Sequence, residues 1–202
     1  MSFTLFIFST AVFIFSVIIH EVSHGYIAYL QGDNTAKNAG RLTLNPIPHI
    51  DIFGSILLPV LLAIAHSPMI IGWAKPVPFN PYNLRNQKWG EAMVAIAGPL
   101  SNVIIATIFG TLIRFGVSDS LVTPFMYIVL INLVLATFNL IPIPPLDGSK
   151  ILFSLLPYNM RGIQNFLEQY GMFILIFFIF FLWKYMFPII TIGFNLITGL
   201  GL

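Results

Sequence analysis

A pair of histidines four residues apart, in the segment HEVSH at residues 20–24, has the spacing of a metal site. On a helix, His20 and His24 would lie one turn apart on one face, so that both imidazoles could reach one ion. Glu21 would project beside them, where a carboxylate can take a proton from a water activated by the metal. The pattern therefore predicts hydrolytic metal chemistry, with both histidines as ligands and Glu21 as the catalytic base.

The composition indicates that this motif lies in a membrane protein. Of the 202 residues, 57% are hydrophobic and 8% are charged, whereas a soluble domain has about 25% charged residues. A charged group at mid-membrane costs roughly 2.5–3.5 kcal/mol and is usually kept for function. The alternative is a polar helix end at the interface, with Glu21 only reaching water. The chain has no cysteine, which excludes thiolate zinc ligands and iron–sulfur clusters, and its net charge of +2 does not suggest nucleic acid.

A zinc site needs at least one more protein ligand, and Asp147 is the favoured candidate. It lies in the run NLIPIPPLDG, residues 139–148, whose prolines remove backbone donors and break a helix. Gly148 would free the turn after the carboxylate. The run predicts a rigid, unwound segment that presents one carboxylate at membrane depth; the alternative is an ordinary loop with a turn aspartate. His49 and His66 are better explained as interfacial hydrogen-bonding residues than as ligands.

Four apolar segments are long enough to cross a bilayer as helices: residues 3–30, 90–116, 121–141 and 166–187. Prolines and polar residues interrupt residues 52–72. We interpret this stretch as a re-entrant segment, because the basic residues before and after it would then lie on the same side of the membrane. Residues 31–50 and 70–80 predict a small β-hairpin. The expected fold is an all-α polytopic membrane protein with about four to six transmembrane helices and a single domain, residues 1–202.

The positive-inside rule predicts an orientation for this fold. The N-terminus would lie outside, and the hairpin and the metal site would lie at or near the cytoplasmic face. A polar amide, Asn102, falls within the second long span, where it could line the site and touch a substrate or instead form an interhelical hydrogen bond worth about 0.6 kcal/mol.

The motifs, taken in order, resemble those of the site-2 protease family of intramembrane zinc metalloproteases. HEVSH, AGPLSN at 97–102 and NLIPIPPLDG carry the resemblance, while GRLTLNPIPHID at 40–51 and GWAKPVPFNP at 72–81 are similar to the compact prokaryotic branch without PDZ or CBS domains. The resemblance implies one Zn²⁺ per chain, held by His20, His24 and Asp147, with Glu21 as the base. It also implies that Asn139 helps to hold the substrate, a membrane protein or membrane peptide cleaved in or near a transmembrane segment.

Other functions remain open at this stage. The chain could clear membrane peptides such as signal-peptide remnants, transport a metal ion, or bind a partner without catalysis. The gathering of candidate ligands at one depth argues against a transport relay, and the presence of Glu21 argues against an inert module. Another divalent ion, such as cobalt, would suit the same ligands.

Overall fold

The computed structural model describes residues 3–57, 61, 64 and 74–201. Its helices are α1 Phe3–Leu30, α2 Thr35–Asn38, α3 Gly90–Phe115, α4 Asp119–Asn139, α5 Asp147–Leu155, α6 Arg161–Phe177 and α7 Phe187–Thr198. A π-helical turn at Phe178–Leu182 and a 3₁₀ turn at Trp183–Tyr185 continue α6. Shorter helical turns occupy Ile47–His49, Ile52–Leu57, Pro81–Asn83 and Tyr158–Met160. No strand occurs in these described ranges, which confirms the all-α prediction.

Four of the helices are long and apolar enough to cross a membrane: α1, α3, α4 and the continuous helical stretch Arg161–Tyr185. They coincide with the four predicted spans, and the chain is therefore a multi-pass membrane protein. Their outward faces carry large apolar side chains, such as Phe173 at 72% exposure and Phe180 at 69%. Such faces suit hydrocarbon, because lipid imposes no penalty on exposed apolar surface.

Helix α3 lies at the centre of the bundle. Within its most apolar window, 44% of the residues are buried, compared with 11–22% in the other three spans. It packs against α1, α4, α5 and α7. Small residues along it, among them Gly98, Ala106 and Gly110, let neighbouring helices approach closely. At Gly110, the side chain of Ile197 on α7 occupies the place that a Cβ would need. Helix α3 therefore meets all the elements that carry the candidate ligands.

The predicted β-hairpin is wrong. Residues 40–45 form turns and bends, and residues 74–80, called here the 74–80 segment, form neither helix nor strand. Pro76 and Pro78 lack the backbone N–H that a strand ladder requires. Most of the predicted re-entrant segment, residues 52–72, lies outside the described residues.

Side chains replace the missing ladder and hold the 74–80 segment in place. Arg41 donates from Nη2 to the carbonyl oxygens of Lys75, at 2.7 Å, and Pro76, at 3.3 Å. The backbone N–H of Lys75 donates to the carbonyl of His49 at 2.9 Å. The guanidinium is buried, so these bonds satisfy backbone groups that would otherwise be costly to bury.

The other end of the segment is fixed by Asp33, which is fully buried in the loop after α1. Its carboxylate accepts hydrogen bonds from the Asn80 N–H at 2.7 Å, the Asn83 amide at 2.9 Å and the Thr35 hydroxyl at 2.6 Å. Burial alone would raise the pKa of Asp33, but the hydrogen bonds from Thr35, Asn83 and Asn80 outweigh it, so the pKa lies below its usual value. The carboxylate therefore ties the end of α1 to the 74–80 segment.

Candidate metal centre

Three ligand atoms converge between α1 and the start of α5. His20 and His24 are buried on one face of α1, and Asp147 is the first residue of α5. The Asp147 Oδ2 atom lies 3.1 Å from the Nε2 atom of His20 and 3.3 Å from that of His24. All three ligand atoms lie within 4.8 Å of one another. Asp147 Oδ2 is also buried without an aligned hydrogen bond, as expected of an oxygen whose partner is a cation.

The opposite nitrogen atoms of the two imidazoles are already engaged. His24 Nδ1 lies 2.7 Å from the carbonyl oxygen of Val94, and His20 Nδ1 lies 2.7 Å from Oδ1 of Asn102. Because a carbonyl oxygen only accepts, the proton of His24 must be on Nδ1. Nε2 is then the nitrogen left to bind a metal ion on the side of Asp147. This is the tautomer that a metal-binding histidine uses when its other nitrogen is held by the protein.

Gly98 of α3 provides the space into which the imidazoles fit. A Cβ at this position would lie 2.5 Å from Nε2 of His24 and 2.6 Å from Nε2 of His20. Non-bonded carbon contacts are normally about 3.5–4.0 Å. The backbone of α3 thus closes one side of the ligand cluster, and only glycine allows it to approach so closely.

The chain between α4 and α5 places Asp147. Ile141 and Leu146 of this turn are buried against Leu175 of α6, which anchors the turn through apolar contacts. A Cβ at Gly148 would clash with the carbonyl oxygen of Leu140, so the turn closes only because residue 148 lacks a side chain. The proline-rich run therefore presents Asp147 to the histidines from a fixed turn.

Glu21 is half-buried on α1 between the two histidines in sequence. Its Oε2 atom accepts a hydrogen bond of 2.9 Å from the backbone N–H of Val77, in the 74–80 segment. One turn further along α1, Gly25 makes room for this segment, because a Cβ there would lie 2.6 Å from the Val77 side chain. The backbone of Val77 therefore orients the carboxylate that the sequence assigns as the base.

Asn102, for which the sequence offers either a substrate contact or an interhelical hydrogen bond, lies inside the bundle. It is fully buried, and its carboxamide lies between His20 and Asn132 of α4, which leaves no exposed surface for a substrate. The interhelical hydrogen bond that the sequence left open is the arrangement observed. Asn132 is a residue that sequence reasoning missed, although a carboxamide within an apolar span was a usable signal.

The remaining candidates form hydrogen bonds outside the ligand cluster or lie outside the described residues. Asn139 is half-buried at the end of α4, and its amide donates to the Leu135 carbonyl one turn earlier at 3.0 Å. His49 is buried, with Nε2 located 2.9 Å from the carbonyl oxygen of Thr43. His66 lies outside the described residues.

Together, the spans and the ligand cluster define a candidate metal centre in a multi-pass membrane protein, with a carboxylate beside it, a class suited to hydrolysis. Comparison with known proteins agrees. The profile of peptidase family M50 matches residues 115–182. YwhC of Bacillus subtilis is 40% identical over 168 residues, which cover 78% of this chain and 73% of YwhC.

Two further relatives are 29% identical to this chain: Rip2 of Mycolicibacterium smegmatis over 146 residues and MJ0392 of Methanocaldococcus jannaschii over 142 residues. The matches cover 71% and 70% of this chain, but only 55% of Rip2 and 32% of MJ0392. YwhC and Rip2 are each named "putative zinc metalloprotease", and MJ0392 is named a zinc metalloprotease. No solved structure matches the chain.

The chain belongs to peptidase family M50, the site-2 protease family. This confirms the resemblance seen in the motifs and identifies the protein as a zinc metalloprotease. The donor set of the cluster, two imidazoles and one carboxylate, also fits Zn²⁺.

Proposed function

We propose that this protein is an intramembrane zinc endopeptidase that hydrolyses peptide bonds in or near the transmembrane segments of membrane proteins or membrane peptides. His20, His24 and Asp147 would hold the ion, one per chain. The observation that carries this proposal is the convergence of the three ligand atoms, within 4.8 Å, inside a bundle whose helices can cross a membrane.

The roles of the side chains follow from their positions. A zinc ion in such a site would supply Lewis acidity, which polarises a carbonyl oxygen and lowers the pKa of a water molecule to about 7. Glu21 takes the proton of the attacking water and passes it to the nitrogen of the departing amine. The hydrogen bond from the Val77 N–H keeps its carboxylate beside the histidines while this proton moves.

The substrate would bind as an extended chain, because a helix hides its carbonyl groups in internal hydrogen bonds. Two prolines favour an extended backbone in the 74–80 segment, and its Val77 N–H contacts Glu21, so we place the scissile region alongside it. Asn139, at the end of α4 near the turn that presents Asp147, would donate from its amide to the substrate backbone. The substrate protein and the surrounding lipid are the partners this arrangement requires.

The charge pattern favours one orientation in the membrane. Arg41 and His49, which precede residues 52–72, contact Lys75, which follows them, so the basic groups on both flanks lie together. Lys150 lies in α5 and Arg161 begins α6, at the end of the bundle that carries Asp147. By the positive-inside rule this end faces the cytoplasm, and the N-terminus of α1 lies outside.

The test replaces Glu21 by glutamine, which removes the base but keeps the shape of the side chain. Purified protein is reconstituted in liposomes with a membrane-spanning reporter, and both cleavage and bound zinc are measured. We expect Glu21→Gln to lose about 100-fold or more in cleavage rate while retaining zinc. Glu168→Gln is the matched control, since Glu168 is an exposed carboxylate of α6 that bonds Gln164, and it should cleave normally.

Two results would contradict the proposal. Cleavage that persists in Glu21→Gln would remove Glu21 from its role as base. Zinc flux across the liposome membrane, without cleavage of any reporter, would favour transport instead. An Asp147→Ala variant reports on the ligand set separately, because it should lose bound zinc as well as activity.

A further inference from the structure

A chain of buried amides leads from the candidate ligand His20 to the middle of α4. His20 Nδ1 lies 2.7 Å from Oδ1 of Asn102, and Asn102 Nδ2 donates to Oδ1 of Asn132 at 2.8 Å. Asn132 Nδ2 in turn donates to the carbonyl of Ile128 at 2.9 Å and to the hydroxyl of Ser16 at 3.0 Å. Asn102 and Asn132 are fully buried, so water cannot substitute for any link.

The direction of the hydrogen bonds in this chain is fixed at its far end, and a longer contact of 3.4 Å from Asn102 Nδ2 to the Ser16 carbonyl has the same sense. The Ile128 carbonyl is a backbone group that can only accept, so Asn132 must turn its NH₂ group toward it. Oδ1 of Asn132 then faces Asn102 and requires the NH₂ group of that residue. Oδ1 of Asn102 is consequently left facing His20, which must donate from Nδ1. Flipping either amide would bring two acceptors to about 2.9 Å in a low-dielectric interior, which is unfavourable.

We propose that Asn132 is a positioning residue of the metal centre: through Asn102 it fixes His20 with its proton on Nδ1 and its Nε2 lone pair toward the metal. Asn132 forms its hydrogen bonds with Asn102, Ser16 and Ile128 and none with the three ligand side chains. The inference rests on the zinc centre and is independent of the peptidase reaction, so its test uses metal affinity and not cleavage.

A merely structural role is the alternative, since the same bonds join α1, α3 and α4. Groups that hold metal-binding histidines typically change metal affinity by 10- to 100-fold when they are removed. A helix–helix contact alone would alter unfolding without changing the affinity of the folded protein. Because Asn132 acts through Asn102, replacing Asn132 should change the Zn²⁺ affinity little in a protein that already lacks Asn102.

The experiment measures the apparent dissociation constant for Zn²⁺ by competition with a chelator, using the full-length chain in lipid nanodiscs. We expect Asn132→Leu to weaken Zn²⁺ binding about tenfold and Asn102→Leu by 10- to 100-fold. The double variant should match Asn102→Leu alone. Thr198→Val is the control. Thr198 is a buried polar residue of α7, and among the described residues its hydroxyl bonds only its own helix and the following turn. The Zn²⁺ affinity of this variant should stay within twofold of the wild type.

Two outcomes would overturn the proposal. One is an Asn132→Leu protein that folds and binds Zn²⁺ within twofold of the wild type; the other is a double variant whose loss is the product of the two single losses. Asn132→Ala covers the case in which Asn132→Leu fails to fold, because it removes the carboxamide without adding bulk. It should also weaken Zn²⁺ binding about tenfold, and binding within twofold of the wild type would refute the inference in the same way.

Discussion

Adding one methyl group at Gly98 should weaken Zn²⁺ binding. The Cβ of alanine would lie 2.5 Å from Nε2 of His24 and 2.6 Å from Nε2 of His20, about 1 Å closer than an ordinary contact. These are the atoms that must face the ion, and zinc–nitrogen bonds tolerate only about ±0.2 Å around 2.0–2.1 Å. The clash therefore falls on the ligand atoms themselves.

The expected loss follows from the strain. Overpacking of a filled interior costs about 1–3 kcal/mol. At about 1.4 kcal/mol for each factor of ten, strain that falls on the metal-bound state weakens Zn²⁺ binding between about fivefold and a hundredfold. The affinity is measured by chelator competition, and thermal unfolding of the metal-free protein shows how much of the strain falls on folding instead.

Gly193→Ala provides the matched control for Gly98→Ala. Gly193 also lies within an apolar helix, but a Cβ there would lie 3.7 Å from the methyl groups of Leu133, an ordinary contact. Its Zn²⁺ affinity should be unchanged. If Gly98→Ala binds zinc as tightly as the wild type and unfolds at the same temperature, α3 does not approach the histidines as described, and the geometry of the centre is wrong.

Two further predictions concern the elements around the centre. Gly148→Ala should lower the free energy of unfolding by about 1–3 kcal/mol, because its Cβ would meet the backbone of Leu140. Gly162→Ala, whose Cβ would have nothing within 4 Å, is the control and should not lower it. A Gly148→Ala protein that melts at the wild-type temperature would contradict the tight turn. Asp33→Asn should lower stability at neutral pH by about 1 kcal/mol. Because the pKa of Asp33 is depressed in the folded state, its contribution to the free energy of unfolding is full above the usual pKa near 4 and is lost as the pH falls through the folded pKa. The melting temperature of Asp33→Asn should therefore depend less on pH in this acidic range than that of the wild type. Identical acid profiles would count against the carboxylate.

Local sequence was sufficient to predict the spans and the proximity of the three candidate ligands. The spans are continuous apolar runs, and their length alone identifies them. His20 and His24 share a face because of helix periodicity. Asp147 could be selected because few carboxylates remain and because the prolines before it predict a fixed turn.

The absence of the hairpin could not be predicted, because alternating apolar residues also suit a segment whose backbone is hydrogen-bonded by side chains and not by a second strand. The partners of the 74–80 segment, Arg41 and Asp33, lie more than thirty residues earlier, and nothing local identifies them. Asn102 and Asn132 present the same difficulty. A single carboxamide in a span indicates a polar contact, but the packing of α1, α3 and α4 decides whether it meets a substrate, a ligand or another amide.

The hydrogen bond between Val77 and Glu21 has a consequence for how the protein can vary. Its donor belongs to the main chain, so any amino acid at position 77 except proline supplies it. Exchanges of side chain there would alter the fit against Gly25 while the carboxylate stays tethered. A Val77→Pro replacement alone would delete the tether and leave the acid, its helix and the three ligands chemically intact.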